Sequence, residues 1–147
     1  MRLLRLFVLV NAPLVLGIVP VKPACAKEMR YEQFRKALTR GAIPAVVIDF
    51  AKCQDAKGGG GPSFVGVLRF RAYNLTGAYI ASSDTHLFEA ADGSMKLEYI
   101  RARFKPDDSV ELTLKRMNPA TYNAESLTSR YRCNLRDGSV LLRVEGS

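Results

Sequence analysis

Ser82, Asp84 and His86 alternate along one stretch of chain, and His86 is the only histidine among the 147 residues. A hydroxyl, a carboxylate and an imidazole are the parts of a nucleophile, an orienter and a base. Residues two apart on a strand point to the same face, so these three share one side of whatever sheet they join. Such neighbours sit about 7 Å apart at the backbone, whereas a working triad draws its members from separate elements that converge. A hydrolase centred on Asp84 and His86 therefore needs a second polar element, and the residues by themselves favour a structural pairing. One imidazole and one carboxylate are also too few ligands for a metal site, and no motif calls for a metal or a cofactor.

A different chemistry recurs three times. Arg69 with Arg71, Arg101 with Arg103, and Arg130 with Arg132 each form Arg-x-Arg, which on a strand projects two guanidinium groups from one face. If the three faces coincide, they make a surface suited to phosphate or carboxylate groups. Glu89, Glu98, Asp107 and Glu111 are available as cross-strand partners that would instead make an ordinary solvated face. Nucleic acid is not the expected anion, because the chain has no recognised reading module. Asp49 is a carboxylate in an otherwise apolar run; alternation groups it with Val47 and Ala51, opposite Val46, Ile48 and Phe50, and a bond to a backbone amide or an arginine is expected. Four glycines at 58–61 are followed by Pro62-Ser63, without the Lys-Ser or Lys-Thr and the helix of a phosphate-binding loop. Residues 54–63 are expected to form a flexible loop without regular structure.

The elements that must carry these residues are legible from periodicity. Tyr31, Phe34, Ala37 and Leu38 fall on one helical face and Gly41 follows as a stop, which predicts a helix over 31–40. Residues 45–50, rich in β-branched side chains, predict a buried strand leading to Cys53. Strand-like runs follow at 64–73, 78–90, 95–104, 109–117, 126–135 and 139–144, separated by turn residues that include Asp92-Gly93 and Asp137-Gly138. Asp-Gly between alternating runs is a strong hairpin signal. The fold class is α+β, mainly β: an N-terminal helix, then a curved antiparallel meander of about seven strands, packed on the helix or closed toward a barrel. Tyr73, Tyr79, Phe88, Tyr99, Phe104, Tyr122 and Tyr131 fall mostly within strands, as core and cross-strand pairs or, in a closed barrel, as the lining of an apolar cavity.

Residues 1–26 read as a cleaved export signal: Arg2 and Arg5, an apolar run from Leu6 to Val19 broken by Asn11 and Pro13, and Ala24-Cys25-Ala26 at the cut. The run is short of the roughly 20 apolar residues of a membrane span, so no stable membrane insertion is expected after cleavage. Residues 27–147 then form a single domain. Removing the leader takes three of the 22 basic residues, Arg2, Arg5 and Lys22, and lowers the net charge from +8 to +5 against 14 acids. Of the three cysteines, Cys53 and Cys133 survive cleavage; an even pair in an exported domain is most simply a disulfide, the alternative being two buried thiols.

The leader, the helix, the Val46-Val47-Ile48-Asp49-Phe50 strand with Cys53 just beyond, the glycine-rich loop, Ser83-Asp84-Thr85-His86, Tyr99-Ile100-Arg101 and Tyr131-Arg132-Cys133 together resemble the VirK family of small exported bacterial proteins. The resemblance implies a periplasmic or secreted address and a bacterial, host-associated owner, and carries no catalytic residue to these positions. The leading expectation is a non-catalytic protein that acts by binding an anionic envelope component or a host factor. The alternatives are a carrier enclosing a small apolar ligand, and the hydrolase already described.

Overall fold

The computed structural model describes residues 29–125 and 128–144; the expected leader, 1–26, lies outside them. One helix, α1 (Tyr31–Thr39), precedes nine strands: β1 (Pro44–Asp49), β2 (Gln54–Asp55), β3 (Val65–Arg69), β4 (Tyr73–Leu75), β5 (Ile80–Glu89), β6 (Met95–Phe104), β7 (Ser109–Met117), β8 (Ser129–Asn134) and β9 (Val140–Val144). A short 3-10 turn over Phe50–Lys52 separates β1 from β2. All pairings are antiparallel, in a three-stranded sheet ordered β3-β1-β9 and a six-stranded sheet ordered β2-β8-β7-β6-β5-β4.

Helix α1 forms where the periodicity places it and buries Tyr31, Phe34 and Leu38. Its end is set by Gly41, whose φ of 83° lets its amide reach the Leu38 carbonyl while the Ala42 amide reaches Ala37, the paired bonds of a left-handed helix stop. Inside, Phe34 meets Phe70 and Phe104 edge-on, with centroids 5.3 and 5.1 Å away, and Phe70 meets Phe104 at 5.4 Å. These rings come from the helix, from the link between β3 and β4, and from β6, so one aromatic cluster locks the helix to both sheets. Each such contact adds about 0.5–1.5 kcal/mol beyond simple burial. Val46, Ile48, Leu68, Ile80, Val110, Leu112, Leu135, Val140 and Leu142 fill the space around them.

Two expectations are corrected, and the open choice between a sheet packed on the helix and a closed barrel is decided. The run 64–73 is not one strand: the Phe70 amide makes the last bond of β3 to Pro44, and by Tyr73 the chain pairs with Ser82 in the other sheet. Burial of Phe70 turns the chain there, with no glycine or proline to announce it. Asp92-Gly93 does close the β5–β6 hairpin, but Asp137-Gly138 does not pair its flanking runs. Strand β8 lies against β7, and β9 crosses to β1, because Leu135 is drawn into the core and the Ser139 hydroxyl binds both the amide and the carbonyl of Asn134. The two sheets thus contribute buried residues to one core and do not close into a barrel.

The segment 54–63 also departs from the expected loop without regular structure, because Gln54–Asp55 pairs with β8 as β2. The Asp55 carboxylate accepts from the amides of Lys57 and Gly59, and the Gly61 amide donates to the Cys53 carbonyl. A Cβ on Gly61 would lie 2.1 Å from the Phe50 carbonyl oxygen, so glycine is what permits this close approach. Beside it, Cys53 and Cys133 form the disulfide, with Cα atoms 4.5 Å apart and both residues buried.

Asp108 supplies a second tie. It takes the left-handed conformation in the β6–β7 turn, at φ 66°, and is buried. Its carboxylate accepts from the Tyr31 amide at 2.9 Å and the Arg136 guanidinium at 2.8 Å, with Arg30 at 3.4 Å. Burial pushes the carboxyl's pKa up, but the Tyr31 amide and the bonds and charge of Arg136 and Arg30 together outweigh it and hold the pKa below the usual aspartate value.

Two outcomes follow for stability. Replacing Cys53 and Cys133 together by serine is expected to remove about 2–5 kcal/mol, read as a lower denaturation midpoint, while native wild-type protein shows no free thiol at either position. Because the folded-state pKa of Asp108 is depressed, its stabilisation is present above the unfolded-state value and is lost as pH falls through the folded-state value. Asp108→Asn, which keeps the turn conformation, is expected to lower stability by about 1–3 kcal/mol near neutrality and to weaken the acid-dependent loss, measured by urea unfolding across the acidic range.

Candidate anion-binding site

Strand alternation and the ladder registers decide which side chains meet. On the outer face of the six-stranded sheet one row across the strands runs Ala81, Arg103, Glu111, Arg132, Gln54, and the next runs Ser83, Arg101, Thr113, Arg130. Two of the three Arg-x-Arg pairs therefore lie on one face, two strands apart. The intervening residues, Ala102, Leu112 and Tyr131, point the other way: the first two are buried and Tyr131 packs half-buried against the core. The third pair does not join them: Arg69 lies opposite Ala45 in the three-stranded sheet, and Arg71 sits in the bend between the sheets.

Arg101, Arg103, Arg130 and Arg132 line a groove of ≈ 640 Å³, walled on one side by the β2 turn with Gln54, Asp55, Ala56 and Gly58. Among the described residues none of the four forms a salt bridge with a carboxylate. Glu111 lies between Arg103 and Arg132 in the register, yet its carboxylate is engaged by Lys105. The Arg103 guanidinium stands over Tyr79, its carbon 5.1 Å from the ring centroid, and its Nε is buried without a hydrogen-bond partner. A second groove of ≈ 570 Å³ continues over β4 and β5 and shares Arg101 and Arg103 with the first.

The other polar candidates do not assemble. The Ser82 hydroxyl is buried and donates to the Ala72 carbonyl at 2.7 Å. Asp84 accepts from the amide of its neighbour Thr85. His86 stands opposite Glu98 with Nε2 3.6 Å from its carboxylate, and Arg116 reaches Glu98 from the next strand at 3.2 Å. These are cross-strand pairings, and among the described residues the side chain paired with the histidine is Glu98, while Ser82 and Asp84 are engaged elsewhere. Asp49 pairs with Lys52 at 3.3 Å, where an arginine or a backbone amide was expected. Among the described residues no group of three or more His, Cys, Asp or Glu is placed to hold a metal ion.

The aromatic side chains divide. Phe104 is core, while Tyr73 and Tyr131 pack against it half-buried. Tyr79 and Tyr99 line the second groove, Phe88 neighbours His86, and Tyr122 is exposed. Sequence reasoning did not single out Gln54, Thr113 or Asp108. The first two become visible only with the register; two consecutive aspartates in a turn were the one available sign of the third.

A family model described as VirK protein matches residues 28–122, more than half of the chain. The chain belongs to the VirK family. The match contains Arg101 and Arg103 and ends before Arg130, Arg132 and Cys133. A curated relative, the uncharacterized protein y4wH of Sinorhizobium fredii, is 27% identical over 116 residues, covering 74% of this VirK-family chain and 76% of the relative. The crystal structure of lpg1832, a VirK family protein from Legionella pneumophila, superposes with a TM-score of 0.69 at 16% identity, covering 78% of this chain and 95% of that one. That likeness is one of fold. No helix among the described residues is long and apolar enough to cross a membrane.

Because His86 makes a half-exposed surface pairing, His86→Ala is expected to change stability by no more than about 1 kcal/mol and to leave anion binding by the groove unaltered, checked by thermal unfolding and by the binding measurement below.

Proposed function

We propose that this VirK-family protein is exported, loses residues 1–26 and acts by binding rather than by catalysis, holding an anionic component of the bacterial envelope or of a host on the arginine face of its six-stranded sheet. The observation that carries this reading is the gathering of Arg101, Arg103, Arg130 and Arg132 around one groove without a carboxylate partner among the described residues. Arg101 with Arg103, and Arg130 with Arg132, are same-face neighbours along their strands, and like charges so placed repel one another; the acid between the two strands in the register, Glu111, is engaged by Lys105. A bound anion relieves that repulsion, and guanidinium forks suit phosphate, sulfate and carboxylate oxygens. The leader supports export, and so does the disulfide, since such bonds persist in oxidising compartments.

The test is retention of the folded, oxidised protein, produced with its own leader, on dextran sulfate beside neutral dextran. Wild-type protein is expected to elute from dextran sulfate only at raised salt, and Arg101→Gln with Arg130→Gln to elute much earlier. Arg69→Gln with Arg71→Gln removes the same charge away from the groove and is expected to elute near the wild type. Equal elution of the two double variants would show that net charge alone governs retention, and the reading fails.

A further inference from the structure

We infer that the groove takes an acidic oligosaccharide, a sugar chain whose acid groups are carried on spaced units; this rests on the anion-binding reading and names its ligand class. The two grooves share Arg101 and Arg103 and together run across the strands from β2 to β4. Six strands span about 24 Å, too long for a single small anion and suited to an extended chain.

The lining changes along that length. Toward β2 it is made by Arg130 and Arg132 on β8, with Arg101 and Arg103 on β6. From β6 toward β4, half-buried Tyr99 stands two residues from Arg101, half-buried Tyr79 precedes β5, and Ser83 and Asn74 follow on β5 and β4; the side chains of Ser83 and Asn74 make no hydrogen bond with the described residues. Aromatic faces with free amide and hydroxyl groups match the apolar faces and hydroxyls of pyranose rings. Arg103, stacked on Tyr79, stands where the two chemistries meet.

Charge spacing selects against other anions. Arg101 is separated from Arg130 by Thr113, and Arg103 from Arg132 by Glu111, so the guanidinium-bearing positions lie two strand spacings apart, about 9.6 Å. A polyphosphate, with a charge on every unit, would set phosphates against Glu111. A sugar chain can instead place a hydroxyl there, as a donor to the carboxylate, and its acid groups at the arginines.

Isothermal titration of the folded, oxidised protein with tetragalacturonate, a heparin tetrasaccharide, maltotetraose, tetraglutamate and tripolyphosphate tests this. At least one acidic tetrasaccharide is expected to bind about tenfold or more tighter than tetraglutamate, with no detectable binding of maltotetraose; the stronger of the two acidic sugars identifies carboxylate or sulfate as the preferred group. Tyr99→Ala is expected to weaken that sugar about tenfold, Tyr99→Phe to restore it, and both to leave tripolyphosphate binding unchanged. Equal affinity for tetraglutamate, or an unaltered Tyr99→Ala variant, overturns the saccharide assignment and leaves the anion reading standing. Failure of every anion to bind overturns both.

Discussion

The Cys53–Cys133 bond holds the chain where it passes from one sheet to the other, and the arginine face depends on that junction. Cys53 follows the turn that ends β1, and Cys133 lies in β8. Joining them fixes β2 alongside β8, so the β2 turn becomes the wall of the groove in which Arg130 and Arg132 stand. The closed loop spans a sequence separation of 80 residues, and a cross-link of that length restricts the unfolded chain by about 4–5 kcal/mol, comparable with the net stability of many small domains.

The same alternation that builds the core builds the site. Cys133 points inward because Arg132 points outward, and Ala102 is buried between two outward arginines. A register slip of one residue would bury guanidinium groups and expose the core, so core packing itself enforces the basic face. Asp108 acts close by, its carbonyl accepting from the amide of Leu135, two residues beyond Cys133. Its carboxylate gathers the helix N-terminus, Arg30 and Arg136, spending a buried charge on architecture while the groove's arginines remain available.

Element types and most boundaries were readable because they follow from local patterns: the 31, 34, 38 spacing of α1, the β-branched run of β1 and the alternation of β5 to β7. The VirK resemblance and the disulfide were also readable, the latter from an even cysteine pair. Sheet membership was not. Asp92-Gly93 and Asp137-Gly138 look alike as dipeptides, yet the first closes a hairpin and the second leads the chain to a different sheet, because burial of Leu135 and the bonds of Ser139 override the local turn preference. For the same reason the continuous run 64–73 was divided at Phe70, whose place is set by Phe34 and Phe104.

The amino-acid sequence by itself determined the helix, most of the strands and the fact that an Arg-x-Arg lying within one strand shows two guanidinium groups on one side, since these depend on neighbours a few residues apart; the cysteine pairing was legible from their even count alone. Only the tertiary structure decided which pairs share a side. Arg101, Arg103, Arg130 and Arg132 were brought together, and Arg69 and Arg71 were sent elsewhere, by pairings between strands far apart in the chain, and those pairings are chosen by how the aromatic core packs.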